Sequence, residues 1–392
     1  MLLTYKYRIY PSNKQKNKAL KQFNICKEIY NELLYQNQEY LINKKYEFNS
    51  IVKDIKITCP NYYSQVHSQV LQNISDRVTK ALENFFRRVK EKKIKPGFPR
   101  FKSKIKSITY PQSGFKIDKR LYVSKIGYIP IKFHRNLKGK VKTLTIKYNN
   151  ANQWFACFSL EVENKVENKN NRTIGIDVGL ESFATLSNGE KIENPRYLIK
   201  AEENLKKLQR RLNKKKLKSR NRAKARLKLA RQHIKVFNSR NDFLHKISRK
   251  LVTNYSVIAV EKLNINNMVK NKHLAKHIHD ASWNRFIQLL SYKAVTSGGL
   301  LIQNTRTRGS SKRCSKCGNI MEMPLSKRIF KCSKCNLVID RDVNAAINHL
   351  NDTAGQAGIY KPVENLLVKK AYETGTTRGE SSKIIDAGSS IF

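Results

Sequence analysis

Four cysteines constrain this chain more than any other feature. Cys314-x2-Cys317 is followed, fourteen residues later, by Cys332-x2-Cys335. Two such knuckles joined by a short hairpin bring four thiolates to one tetrahedral point, the arrangement that suits structural Zn2+. With all four positions filled by protein, no place is left for water, so the site supports a fold and does not catalyse. Cys26, Cys59 and Cys157 stand alone and read as buried or inert thiols. Disulfides are the poorer reading. The opening run, Met1-Leu-Leu-Thr-Tyr-Lys-Tyr-Arg8, carries charge where a signal peptide needs apolar residues. No stretch of about 18 apolar residues offers a membrane span. A cytoplasmic protein with no membrane partner is expected.

Charge is the second constraint. Among 392 residues, 79 are Lys or Arg and 29 are Asp or Glu, a formal net charge of +50. Hydrophobic residues make up 40%, enough for more than one core, so the chain is not a disordered polycation. A compact body with this charge repels itself unless a polyanion compensates. An AT-biased genome would raise Glu along with Lys, yet acids are scarce. Nucleic acid is therefore the expected partner. A membrane-surface protein would need a separate amphipathic anchor, and none is visible.

Residues 3–10 alternate, with Leu3, Tyr5, Tyr7 and Ile9 on one face of a strand. Pro11-Ser12 breaks it and opens a helix on which Leu20, Phe23, Tyr30 and Leu34 recur at helical spacing. A second helix from about residue 64 carries the stripe Val66, Val70, Ile74, Val78, Ala81, Phe85 and Val89. Its other faces hold Arg77, Lys80, Arg87, Arg88 and Lys90, which read as phosphate contacts. Residues 107–163 switch to period two. Leu144, Ile146 and Tyr148 lead through the turn 149–152 to Trp154, Ala156, Phe158 and Leu160, a hairpin in a mostly antiparallel module that takes in the first strand. A polar linker at 163–172 opens a new domain. There the order is strand, hairpin at Asn188-Gly189, two helices joined near Ser219–Asn221, strand, helix, strand, then the cysteine-rich insertion and a helix from about Asp342. Residues 200–250 contain 20 Lys or Arg against three acids. That helical pair is a candidate for duplex or guide contact, against a merely solvated basic face.

Three acids stand at element ends. Asp177 interrupts the apolar strand Thr173–Gly179, Glu261 closes Val257-Ile-Ala-Val260, and Asp342 opens a helix. Carboxylates are the ligands for Mg2+ or Mn2+, and two such ions about 4 Å apart serve phosphodiester hydrolysis. Each acid also has a structural reading: Asp177 as a turn acid, Glu261 as an ion-pair partner, Asp342 as a helix cap, with Asp340 competing for either role. The element order of this half is that of the RNase H architecture, mixed α/β with acids at its centre.

Gly175-Ile-Asp177-Val-Gly179, Val260-Glu261-Lys-Leu263, Cys314-Ser-Lys-Cys-Gly318 and Asp340-Arg-Asp342-Val-Asn344-Ala-Ala346 together resemble the TnpB family, transposon-encoded relatives of the type V CRISPR effectors. Lys95-Pro-Gly97-Phe-Pro99-Arg-Phe101-Lys102, Ser68-Gln-Val-Leu-Gln72, Phe85-Phe86 and Tyr292-Lys293-Ala294 agree with it, so the resemblance runs from Tyr5 to about Leu350. The resemblance implies a multidomain α/β fold. A wedge-like β-barrel module (1–10 and 103–165) would carry an inserted helical recognition lobe (11–102). An RNase H-like (RuvC-like) nuclease domain (173–305 and 336–355) would carry the zinc ribbon (306–335). The tail, 356–392, would be disordered.

The same resemblance implies an RNA-guided DNA endonuclease of a transposable element. It would hold a guide RNA from the transposon end and cut target double-stranded DNA beside a short adjacent motif. Catalysis falls to Asp177, Glu261 and Asp342, holding two Mg2+ or Mn2+ ions. Asp342 is preferred to Asp340 because the family acid directly precedes x-Asn-Ala-Ala. Structural Zn2+ falls to Cys314, Cys317, Cys332 and Cys335. Nucleic-acid contacts are expected at Ser68, Gln69, Gln72, Arg77, Lys102, Arg210, Arg211 and Arg220. The alternatives are a non-cleaving RNA-guided DNA-binding regulator, which the intact acids argue against, and a miniature type V CRISPR-associated effector.

Overall fold

The computed structural model describes residues 1–40, 52, 54, 57, 60–91, 96–163, 171–305, 309–324 and 327–357. Cys59, the linker segment 164–170, Arg306, Arg308 and the tail from 358 lie outside the described residues. The chain forms two compact units, one ending at Glu163 and one beginning after it.

In the first unit the opening strand β1 (Leu2–Ile9) belongs to a sheet with strands more than 100 residues away. Its neighbours are β6 (Ile131–Lys132) and β8 (Trp154–Glu161), and the sheet continues through β7 (Lys140–Tyr148) to β2 (Ser107–Tyr110), every pair antiparallel. The β7–β8 hairpin closes with Tyr148 opposite Trp154. In its turn Asn149 Oδ1 accepts from the backbone N–H groups of Ala151 and Gln153, both at 3.0 Å. Strands β3 (Phe115–Ile117), β4 (Leu121–Val123) and β5 (Gly127–Ile129) make a separate antiparallel sheet. The expected barrel is therefore two open sheets among the described residues, with β2 and β6 as edges of the larger one.

Helices α1 (Asn13–Tyr40) and α3 (Ser68–Lys90), with the short α2 (Pro60–Tyr63) between them, pack into the same core. Most residues of the expected stripes are buried, and the departures fall at single positions. On α1 the expected Phe23, Tyr30 and Leu34 are buried beside Ala19, Cys26 and Leu33, while Leu20, one step of about 100° beyond Ala19, is exposed. On α3 full burial ends at Leu82; Phe85 meets the Phe98 ring edge to face at 5.2 Å, and Val89 is exposed.

The second unit is built on a five-stranded sheet. Its order is β11 (Lys191–Glu193), β10 (Ser182–Leu186), β9 (Thr173–Val178), β12 (Val257–Glu261), β13 (Leu300–Asn304). β9 to β11 form an antiparallel meander, turned at Gly189 with φ +89°. β12 and β13 run parallel to β9. Helices α4 (Tyr197–Asn213) and α5 (Arg220–Asn254) meet at a turn capped by Ser219 and closed by Arg222 Nη1, which donates to the carbonyls of Leu212 and Lys215. Leu205, Leu208, Leu229 and Val236 are buried in one cluster along the pair, and Phe237 is exposed. After α6 (Ile265–Met268) come α7 (Lys272–Ala281) and α8 (Trp283–Thr296).

Residues alternate faces along a strand. Ile174, Ile176 and Val178 of β9 and Ile258 and Val260 of β12 face the core shared with α5 and α8. The opposite face receives α9 (Arg341–Ala357). Gly175 shows how close that helix lies. A Cβ there would sit 2.0 Å from the Ala346 carbonyl oxygen and 3.0 Å from Leu350 Cβ. No helix among the described residues is long and apolar enough to cross a membrane.

Candidate active site

Strand alternation decides where the first two acids go. Asp177 shares a face with Gly175, and Glu261 shares one with Ala259, so both carboxylates project on the side covered by α9. The register pairs Ile176 with Val260, which brings the following residues, Asp177 and Glu261, side by side at the strand ends. Ligand atoms of Asp177, Glu261 and His349 all lie within 4.8 Å of one another. Burial pushes both carboxyl pKa values up; the Asp177 charge raises Glu261 further and the Asp342 charge raises Asp177, while His349 works against both shifts. Buried like charges of this kind are relieved by a bound cation. An all-oxygen pair of carboxylates suits Mg2+ or Mn2+, so the residues present fit the ions that the sequence implies.

His349 was not singled out by motif. It is fully buried, and its Nε2 lies 3.6 Å from Asp177 Oδ1 with no hydrogen-bond partner. The available signal was spacing: seven residues after Asp342 is two helical turns, hence the same face of α9.

Asp340 and Asp342 have separate roles. Asp340 Oδ1 accepts from the backbone N–H groups of Asp342 at 2.9 Å and Val343 at 3.2 Å, which makes Asp340 the helix cap. Its Oδ2 is 2.7 Å from Lys191 Nζ. Burial works against ionisation, but the Lys191 ammonium and these two amides outweigh it and hold the pKa down. Asp342 is thus free of the capping role. It stands outside the Asp177–Glu261–His349 group, though near enough for its charge to raise Asp177. Its Oδ1 accepts from Arg341 Nε and Nη2, both at 3.1 Å, and Arg328 Nη1 lies 3.7 Å from Oδ2. Arg328 also pairs with Glu181.

The four knuckle cysteines converge. Their sulfurs lie within 4.8 Å of one another, with Cys314–Cys335 and Cys317–Cys332 each at 3.5 Å. A Zn–S length near 2.3 Å gives tetrahedral S–S edges of about 3.8 Å, so the quartet fits Zn2+. Both knuckles turn alike. Gly318 (φ +75°) and Asn336 (φ +58°) take the left-handed position after the second cysteine, and their N–H groups donate to the carbonyls of Cys314 and Cys332. The N–H of Cys335 helps hold the Cys332 thiol down to about 6, whereas neighbouring sulfurs push Cys335 up to about 12 despite the Leu337 amide. Four thiolates together need a cation.

The second knuckle sits between the strands of a hairpin, β14 (Ile329–Lys331) pairing with β15 (Val338–Asp340), and this hairpin runs five residues past the expected end of the insertion at 335. α9 then clamps the first knuckle. Asn344 accepts from the Ser315 N–H at 2.9 Å and donates to the Arg313 carbonyl at 2.7 Å, and Asn348 donates to the carbonyls of Ser310 and Arg313, each at 2.7 Å.

The expected nucleic-acid contacts divide. Ser68, Gln72, Lys102, Arg210, Arg211 and Arg220 are exposed. Arg77 departs from the phosphate-contact expectation: its Nη1 donates to the Ser107 carbonyl and its Nη2 to Thr109 Oγ1, both at 2.9 Å, tying α3 to β2. Gln69 is likewise engaged, its Oε1 accepting from the N–H groups of Gln112 and Ser113. Spacing could not foresee either, because the partners lie 30 to 44 residues further along the chain, on β2 and in the bend after it.

Three family models match the chain. The OrfB_IS605 model, described as "Probable transposase", covers residues 156–272. A "Cas12f1-like, TNB domain" model covers 283–349. A "Helix-turn-helix domain" model covers 1–45, where the described residues form one strand and one helix. A Streptomyces pristinaespiralis protein named "Putative RNA-guided DNA endonuclease" is 32% identical over 360 residues, spanning 88% of each chain. The Escherichia coli K12 protein "Putative RNA-guided DNA endonuclease InsQ" is 28% identical, over 91% of this chain and 93% of its own. In fold, the chain is similar to the cryo-EM structure of a Cas12f1–sgRNA–target DNA complex. That match has a TM-score of 0.56 at 14% identity, over 89% of this chain and 98% of the other.

Proposed function

The chain belongs to the TnpB family, and from that premise we propose that it is an RNA-guided DNA endonuclease of a transposable element. Its partners are a guide RNA derived from the transposon end and a double-stranded DNA target carrying a short adjacent motif. The observation that carries the reading is the convergence of the Asp177 and Glu261 carboxylates at the ends of two neighbouring parallel strands, under α9, in a chain of net charge +50.

In this reading the five-stranded sheet with α4 to α9 is an RNase H-like (RuvC-like) nuclease domain, and the four-cysteine hairpin is its inserted zinc ribbon. The antiparallel sheets are the wedge module, with the helices of 11–102 as its recognition lobe. Divalent cations, Mg2+ or Mn2+, supply activation of the attacking water and stabilisation of the leaving oxygen. Asp177 and Glu261 bind those ions, and Asp342, from the first turn of α9, completes the acidic set. Target sequence is read by base pairing with the guide, so the protein mainly neutralises backbone phosphates. Ser68, Gln72, Lys102, Arg210, Arg211 and Arg220 are the side chains assigned to that contact.

Sequencing the RNA that co-purifies with the full chain tests guided action. A discrete species with a constant scaffold and a variable 3′ end is expected. Bulk cellular RNA without defined ends contradicts the reading.

A further inference from the structure

Five polar side chains link the zinc ribbon to the acidic pair, and no two of the five are adjacent in sequence. Arg313, immediately before the first knuckle cysteine, has its Nη2 2.7 Å from Asp352 Oδ1. Asp352 Oδ2 accepts from Asn304 Nδ2 at 3.0 Å, and the same Nδ2 lies 3.4 Å from His349 Nδ1. His349 Nε2 faces Asp177 Oδ1 at 3.6 Å. Asn304, His349 and Asp352 are almost wholly enclosed, with side-chain or residue exposures of 4%, 0% and 9%.

Hydrogen-bond logic fixes the direction of this chain. A carboxylate paired with an arginine only accepts, so Asn304 must present its NH2 group to Asp352. That same NH2 group reaches His349, so His349 Nδ1 is the acceptor and the ring N–H is Nε2. The imidazole therefore aims a donor at Asp177. Were Asn304 reversed, its oxygen would meet the Asp352 carboxylate, and this repulsion removes the alternative.

We propose that His349 is a positioning residue for Asp177, with its ring orientation set from the zinc ribbon through Arg313, Asp352 and Asn304. The inference rests on the reading of Asp177 and Glu261 as cation ligands. It adds that one carboxylate oxygen is steered by an N–H donor, leaving the other for the cation. Partners of this kind orient ligands without touching the ion. It also means that the ribbon acts on the acidic pair through a defined set of contacts.

The test is Mn2+ titration of the zinc-loaded, full-length, RNA-free chain, read by the Mn2+ electron paramagnetic resonance signal. Asp177→Asn serves as the reference variant. If it binds Mn2+ as the wild type does, the cation reading itself falls, and the positioning role falls with it. Given loss in that reference, His349→Leu is expected to weaken Mn2+ binding about tenfold at an unchanged melting temperature. His349→Gln, which carries an N–H donor at similar reach, is expected to restore it. Asp352→Asn, which releases Asn304, is expected to weaken binding in the wild type and to add nothing to His349→Leu. Wild-type affinity in His349→Leu, no recovery in His349→Gln, or additive losses in the double variant would each overturn the proposal. Should His349→Leu not fold, the same comparison is read between His349→Gln and His349→Met.

Discussion

Asp177 and Glu261 each follow a small residue by two positions, Gly175 and Ala259, on the same strand face. The small residues admit α9, and the acids lie where the covered face ends. Gly175→Ala forces a methyl against the Ala346 carbonyl at 2.0 Å. It should cost about 1–3 kcal/mol in a denaturant melt, as overpacking does. A wild-type midpoint in that melt would mean that α9 does not lie on β9 as described. The raised acids give a second prediction. An acid with a raised pKa is favoured protonated in the fold, so its stabilising effect holds at low pH and fades as pH climbs through the raised value. Asp177→Asn should therefore melt higher than the metal-free wild type, with a gap that widens as pH climbs above the ordinary carboxylate range and narrows on adding Mn2+. Calorimetry across pH checks it; a gap independent of pH would contradict the burial argument. Both acids were legible because charge is rare on an apolar strand. His349 was not: a lone histidine on a helix carries no motif, and its neighbour Asn304, held in turn by Asp352, is recognisable only once β13 and α9 meet.

At the scale of elements, the zinc hairpin and α9 behave as one piece. Asp340 ends β15 and caps α9, and Asn344 and Asn348 bind the backbone of the first knuckle. Removing zinc should therefore do more than open the ribbon. Hydrogen exchange after chelation is expected to lose protection in β14 and β15 and also in the first turns of α9, while β9 and β12 stay protected longer. Full protection of α9 without zinc would break this link. The cysteine spacing announced the hairpin, but its length did not follow, because strand pairing through Asp340 depends on cross-strand contacts. Likewise the helices and most of their buried stripes were legible, but not which marginal positions face solvent. Leu20 and Phe237 satisfy helical spacing as well as their buried neighbours do, and only the packed partner selects among them.

For the whole molecule, the excess of 50 positive charges repels itself in the folded chain, and a bound polyanion relieves that repulsion. Composition alone pointed to that partner. It could not say which surfaces bind, since Arg77 turned out to hold α3 to β2 while Arg210, Arg211 and Arg220 stand exposed. The claim on which the account depends is that this charge delivers DNA to the Asp177–Glu261 pair. The most direct measurement is plasmid cleavage by the purified full chain with its co-purified RNA and Mg2+ or Mn2+, beside an Asp177→Ala variant. The account predicts cutting at a guide-matched site by the wild type. It also predicts a loss of at least about 1,000-fold in Asp177→Ala, the scale of removing a key electrostatic group, with RNA retained. Undiminished cutting by Asp177→Ala, or guided binding without scission in either metal, would contradict it.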